Sequence, residues 1–386
     1  MPPLRDLFHL QPDVAFLNHG SFGACPRPVF ETYQAWQLEL ERQPVEYLGR
    51  RFGGLMRRAR EALGAFVGAH ADDLVYVPNT TTGLNLIARS LDLKPGDEVL
   101  TTDHEYGALD RTWRFVCSKR GARYMRQPLP LPIESQEQVV EAIWSGVTPR
   151  TRVLFISHVT SPTALILPIT ELIGRAQTAG IISVVDGAHA PGQLALDLQT
   201  LGVDFYVGNC HKWMMAPKGS AFVFARREMQ LLLEPLVVSW GWQSDNPGPS
   251  RFVDEQEWQG TRDIAAYLSV PAAIQFMQAH NWPAVRGACH ELVRYARRMI
   301  TELTELEPIS PDAAAWFAQM AAFPLPACEG DVLQRRLYAE FGVEIPITMW
   351  NAWCLVRISA QGYNTQSDVD RLVEALTRLL PGVERR

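Results

Sequence analysis

The sequence predicts an α/β protein: a mostly parallel sheet with helices on both faces, and a smaller α+β region after it. Three observations predict this. The runs at 153–157, 181–185 and 203–207 are almost continuously apolar rather than alternating, as strands buried on both faces are. Between the strand runs lie segments whose apolar residues recur at helical spacing. Beyond residue 263 amphipathic helices and strands mix in a different order, which fits a small domain beside the large one.

In chain order, residues 16–23 form a short extended piece ending in glycines. A helical pattern then runs from 28 to about 67, with a break near Gly53 and Gly54. A strand at 74–77 is followed by Asn79, Thr80, Thr81, Thr82 and Gly83, and Leu84, Ile87, Ala88 and Leu91 repeat at helical spacing. The threonines therefore cap a helix N-terminus. Pro95-Gly96-Asp97 is a turn, 98–101 a strand, 109–120 a helix, and 127–132 a proline-rich surface loop. Strands at 153–157, 181–185, 203–207 and 220–224 follow, with a helix at 169–178. Residues 234–250 lapse into a loop rich in Pro, Gly and Trp. Helices at 263–280, 287–306, 330–341 and 367–380 and strands at 343–347 and 355–359 complete the chain.

The bulk composition excludes several function classes. At 386 residues, 47% hydrophobic and 20% charged, the chain can bury a large core. A net charge of −6 argues against nucleic acid as partner. The cluster Arg50, Arg51, Arg57, Arg58 and Arg60 reads as a solvated or subunit-facing side of a helix. The six cysteines form no C-x-x-C pair, so no zinc ribbon or dithiol motif is indicated, and no metal is expected. No run is long enough to span a membrane, and Met1 to Asp6 lacks a signal-peptide core. The expectation is a cytoplasmic protein with reduced thiols.

Three polar motifs each follow an apolar strand directly: Asn79–Thr82, Asp186–His189 and Asn209–Lys212. In a parallel sheet they converge on one edge, where such sheets bind ligands. Lys212 at a dry strand end would have a lowered pKa, and its neutral amine could form a Schiff base with a carbonyl. Alone, it could equally be a solvated surface lysine. Thr80 to Thr82 at a helix N-terminus suit a phosphate, or simple capping. Asp186 closes a buried run and needs a partner, such as a protonated ring nitrogen. His189 could contact the same ligand or lock the turn. Together the trio describes pyridoxal phosphate chemistry.

At these motifs the sequence resembles the fold-type I pyridoxal phosphate enzymes of the class V aminotransferase superfamily, and among them the isopenicillin N epimerase-like branch. The resemblance runs from Leu17-Asn18-His19-Gly20-Ser21-Phe22-Gly23 through Asn79–Asn85, His104–Ala108, Ser157–Ser161, Asp186–His189 and His211-Lys212 to Thr261, Arg357 and Tyr363–Thr365. It implies a seven-stranded, mostly parallel sheet in a large domain at 15–262, with 1–14 and 263–386 forming the small domain. It implies that Lys212 holds the cofactor aldehyde, Asp186 pairs with the ring nitrogen, and His189 lies near the ring hydroxyl with Thr160 or Ser161 nearby. Thr81, with the amides of Thr80 and Thr82, would bind phosphate, helped by Asn209 and His211. Tyr106 would stack on the ring, with His104 as the alternative. Arg357 would bind the substrate α-carboxylate through its planar fork, and Asn18 and His19 are candidate substrate contacts. Thr261 would reach the other subunit's phosphate, implying a homodimer with shared sites.

The implied substrate is an amino acid or a molecule containing one, and the reaction an epimerisation or racemisation. Transamination and C–S or β-elimination are the alternatives, and a non-catalytic binding protein is a remote one. Persulfide chemistry is disfavoured, because Cys354 lies within a strand beside Arg357 rather than on a loop before it. Ala164 stands where the family pattern has glycine, and no second base opposite Lys212 is identified in the sequence.

Overall fold

The computed structural model describes residues 4–383, so 1–3 and 384–386 of the expected small domain lie outside the described residues. The strands in chain order are β1 (Ala15–Phe16), β2 (Leu74–Val77), β3 (Glu98–Thr102), β4 (Arg123–Gln127), β5 (Thr151–Ser157), β6 (Ile182–Gly187), β7 (Phe205–Asn209) and β8 (Ala221–Ala225). They continue as β9 (Met320–Leu325), β10 (Val343–Glu344), β11 (Ile347–Trp350) and β12 (Trp353–Ser359). Seven of them form the main sheet, in the order β2-β8-β7-β6-β5-β3-β4. Only β8 runs antiparallel to its neighbours.

The continuous apolar runs have a direct cause. Alternate residues point to opposite faces of a strand, and both faces here are covered. Val75, Val153, Phe155, Val184, Phe205, Val207 and Val223 join the core beneath the helices Thr80–Ser90 and Gly107–Arg120. Tyr76, Leu154, Ile156, Val185, Tyr206 and Phe222 join the core on the other face, with Phe52–Val67 and Ile169–Thr178.

Several expectations are corrected. β4 was not predicted: an edge strand whose residues Arg123, Tyr124, Met125, Arg126 and Gln127 are mostly exposed needs no apolar run. β9 was missed because Met-Ala-Ala-Phe-Pro-Leu is poor in β-branched residues. The long helix divides into Arg27–Arg42, a π-turn Val45–Arg50 and Phe52–Val67. The break lies at Gln43-Pro44, not at the glycines, because Pro44 has no N–H to donate. The helix expected at 263–280 divides into Ala265–Leu268 and Val270–Ala279, and the next begins earlier, at Trp282, where Pro283 suits a first turn. The strand expected at 343–347 splits into β10 and β11 around Pro346. In the proline-rich loop, Leu129 is buried rather than exposed.

The C-terminal region carries an antiparallel sheet, β11-β12-β9. β1 pairs with β10, so residues 15 and 16, expected in the large domain, are tied to this region. The next residues return to the main sheet. Gly23, at φ 72°, packs so closely on the Lys212 turn that a Cβ there would lie 2.0 Å from the His211 carbonyl oxygen. The N-terminal segment thus bridges the small sheet and the ligand edge of the large one.

Candidate active site

The carboxyl ends of β7, β6 and β5 lie side by side, with Asp186 paired in register with Ser157 and Val207. β3 flanks β5 on the far side. A cavity of about 400 Å³ opens above this edge, and Lys212, His189, Asp186, Ser157, Thr81 and Tyr106 all line it. Strand order puts Lys212, just past β7, and Tyr106, just past β3, on opposite flanks of a floor made by Asp186 and Ser157. At about 4.8 Å per strand the two flanks stand roughly 14 Å apart at the backbone.

Lys212 Nζ lies 3.1 Å from His189 Nε2. Burial, and then the nearby Arg357 charge, lower the Lys212 pKa to about 8, against the opposing pull of Asp186. Burial raises Asp186 to about 6, opposed by the Ala188 amide, which donates to its Oδ1 at 2.8 Å, and by Lys212. His189 is driven well below its usual range, mainly by burial and then by Lys212, so it is neutral. Gly187 leaves room here: a Cβ on it would meet the Tyr206 ring at 2.1 Å.

The helix Thr80–Ser90 begins at the cavity, and Gly83 lets it press onto Val207 and Val223. Its first-turn amides are not all available. Thr80 N–H donates to Asn209 Oδ1 at 3.1 Å, and Thr82 N–H to Asn79 Oδ1 at 2.8 Å. No side chain caps the Thr81 amide among the described residues, and Thr81 lines the cavity while Thr82 does not. The Thr80 hydroxyl is buried without a partner. His211 also lines the cavity, with Nδ1 3.0 Å from the Ser220 carbonyl.

The small sheet delivers Arg357 on β12. It is 7% exposed, and its Nη1 donates to the Ser161 carbonyl at 2.5 Å and its Nη2 to Ser21 Oγ at 3.3 Å. Its Nε is buried without a partner, and no carboxylate forms an ion pair with it among the described residues. Burial lowers its pKa to about 10, yet leaves it charged at neutral pH.

Other expected site residues fall outside the cavity wall. Thr160 turns inward, where its hydroxyl accepts from Leu165 N–H at 2.8 Å and meets Thr163, whereas Ser161 lines the cavity. His104 is fully buried, held by Thr163 at 2.7 Å and packed on Trp350, so of the two stacking candidates only Tyr106 faces the cavity. His19 donates from Nε2 to the Lys212 carbonyl at 3.0 Å and accepts at Nδ1 from Tyr363 Oη at 2.9 Å. Asn18 binds Ser21 and Glu344. Both brace the cavity from behind rather than line it. Thr261 is exposed and does not line the cavity. Ala164, in place of glycine, sits at φ 56° and is buried, so this loop keeps the left-handed turn without glycine.

Sequence reasoning overlooked Glu105 and Ser157. Glu105 is buried beneath the floor, accepting from Thr102 Oγ1 at 2.7 Å and Ser157 Oγ at 2.5 Å. Burial raises its pKa to about 7, its hydroxyl partners oppose this, and Asp186 adds to it. The signal was present, because Ser157 closes β5 beside Asp186 and Glu105 follows β3 next to Tyr106.

The free features fit a phosphorylated aldehyde cofactor. The uncapped Thr81 amide and orphaned Thr80 hydroxyl suit a phosphate, the Asp186 carboxyl a ring nitrogen, and the amine of Lys212 a carbonyl carbon. The fold and this cavity define a pyridoxal phosphate-dependent enzyme. Residues 25–372 match the aminotransferase class-V family, and the chain belongs to it. It is similar to isopenicillin N epimerase of Amycolatopsis lactamdurans, at 37% identity over 97% of this chain and 97% of that protein. It is 29% identical to a probable chloroplastic L-cysteine desulfhydrase of Arabidopsis thaliana, over 96% of this chain and 84% of the relative. Among solved structures, a C-DES variant with glycine covalently linked to its PLP cofactor superposes with a TM-score of 0.83 at 21% identity, covering 97% of this chain and 99% of that one. No helix among the described residues is long and apolar enough to cross a membrane.

Proposed function

We propose that this enzyme inverts the Cα configuration of an amino acid or an amino-acid-containing substrate, as an isopenicillin N epimerase-like epimerase. The observation that carries the reading is the pair of proton-bearing groups on opposite flanks of one cavity, Lys212 and Tyr106. Inversion needs a proton taken from one face of Cα and returned to the other. When bound, pyridoxal phosphate supplies a carbonyl that captures the substrate amine and a ring that accepts the electron pair left at Cα.

The residues divide the remaining work. Lys212 Nζ holds the cofactor at rest and removes the Cα proton once free. Tyr106 would cover the ring, and its phenol would return a proton from that flank. Asp186 would keep the ring nitrogen protonated, while Thr81, the Thr80 hydroxyl and His211 would hold the phosphate. Asn209 and Asn79 act indirectly, by fixing the helix start. Arg357 binds the substrate carboxylate as a bidentate fork whose second wall is Ser21. Among the described residues no cysteine lines the cavity, and Cys354 lies within β12.

We further propose a homodimer in which the partner subunit's Thr261 completes the phosphate site. Its support is the exposure of Thr261 together with an exposed apolar stretch in which Leu231, Val238 and Trp240 are 74%, 66% and 84% exposed. Sedimentation of the purified chain checks this, and a monomer that retains full cofactor affinity would refute it.

The test of the reaction is incubation with a panel of amino acids and acylated amino acids in deuterated water, followed by chiral chromatography and mass analysis. The expected product is the opposite enantiomer carrying one deuterium at Cα. Stoichiometric keto acid would establish transamination instead, and sulfide release from cysteine would establish the lyase.

A further inference from the structure

We propose that Trp213 is a positioning residue: its indole N–H fixes the ring tautomer of His189 and so aims one imidazole N–H at the Lys212 end of the cavity. Trp213 Nε1 lies 3.3 Å from His189 Nδ1. An indole nitrogen can only donate, so Nδ1 must be the unprotonated nitrogen of the ring. A neutral imidazole then carries its one hydrogen on Nε2, the atom 3.1 Å from Lys212 Nζ. An ammonium has three donors and no lone pair. The Nε2–H can therefore meet Lys212 only when the amine is uncharged, the form that attacks a carbonyl. The same N–H stays in place for an oxygen of a group held by Lys212. A tautomer with hydrogen on Nδ1 would face the indole donor to donor and present a bare lone pair to the cavity.

The surroundings hold the indole for this purpose. Trp213 is fully buried. The His19 ring lies 5.0 Å from it, and His19 also ties down the Lys212 carbonyl. A glycine lets the backbone close on this residue: a Cβ at Gly192, where φ is 90°, would lie 2.4 Å from the Trp213 carbonyl carbon. His189 has a further local tie, since its carbonyl accepts from Gln193 Nε2 at 2.7 Å. The indole is the one group given to Nδ1 among the described residues, so the tautomer depends on it.

The inference rests on Lys212 being the cofactor-bearing lysine. The experiment is nitrogen NMR of the holoenzyme labelled with 15N-histidine, with His189→Gln identifying the His189 signals among the nine histidines. The expected spectrum has Nε2 protonated and Nδ1 bare. In Trp213→Phe the two tautomers mix, and the pH midpoint of the cofactor's visible band moves by about half to one unit, the worth of one neutral hydrogen bond. In the His189→Gln background the amide donates whatever Trp213 does, so adding Trp213→Phe leaves the midpoint unchanged. A protonated Nδ1 in the native holoenzyme overturns the proposal without any variant, so a poorly folding Trp213→Phe does not shelter it. So does an equal midpoint shift in both backgrounds, which would mean simple repacking. If no visible band forms with added pyridoxal phosphate, the reading of Lys212 fails instead, and the His189 tautomer is still measurable in the cofactor-free chain.

Discussion

Lys212 lines the cavity, and Arg357, from a different sheet, is bound to Ser161 and Ser21 of its wall; burial lowers the pKa of both cations by a similar amount, from different ordinary values. Lys212 stands at the carboxyl edge of the large sheet, and its pKa falls to about 8. Arg357 stands on β12 of the small sheet, and from a higher ordinary value its pKa falls to about 10. The lysine can shed its proton near neutral pH and become a nucleophile or base. The guanidinium cannot, so it remains a fixed charge whose buried Nε has no partner. Dehydration thus makes one cation reactive and the other an anion receptor. Each also depresses charge on its neighbours: Arg357 contributes to the lowered pKa of both Lys212 and His189.

The sharpest way to break this comparison is to remove the reactive cation. Lys212→Ala is expected to lose the visible, borohydride-bleached cofactor band and to slow turnover by about 10³-fold or more. Retention of the band would place the cofactor elsewhere. Next in size is the opposite flank. Tyr106→Phe should slow inversion by about 10²-fold while α-deuterium exchange with retention continues through Lys212. Equal loss of both, read by chiral mass analysis, would give Tyr106 a stacking role alone.

Replacing the fixed cation should show a different signature. Arg357→Lys keeps the charge but loses the fork, and KM should rise about 10- to 100-fold with a smaller change in kcat, because charge-assisted hydrogen bonds are worth about 1.5–3 kcal/mol. A pure kcat effect would remove Arg357 from substrate binding. The smallest effect is a pH dependence. In the cofactor-free chain the Lys212 amine is mostly protonated below about 8. Capture of added pyridoxal phosphate should therefore quicken by about tenfold per pH unit up to that point and level off above it, as stopped-flow absorbance can follow. A flat profile from pH 6 to 9 would mean that the amine is already neutral throughout.

Local pattern was enough to determine much of the protein. The runs at 153–157, 181–185 and 203–207 cannot be solvated, so they had to be strands covered on both faces, and the polar residues that close them had to meet at one edge. That logic located Lys212, Asp186 and the threonine helix start without coordinates. It failed where burial does not write a period into the chain. Edge strand β4 is mostly exposed, and β9, though buried throughout, has no β-branched residue and contains Pro324.

Only the tertiary structure decided how side chains share their hydrogen bonds. Asn209 and Asn79 take the Thr80 and Thr82 amides and leave Thr81 to face the cavity. Thr163 and Trp350 hold His104 away and leave the opening to Tyr106. Arg357 meets Ser21 and Ser161 from 336 and 196 residues away in the chain, and Glu105, past the end of β3, reaches Ser157 on the adjacent β5. A hydrogen-bond donor has one place to go, and which acceptor wins depends on distances of tenths of an ångström between segments far apart in sequence. Residue type states what a side chain can do, and the packing of distant segments decides which partner it does it with.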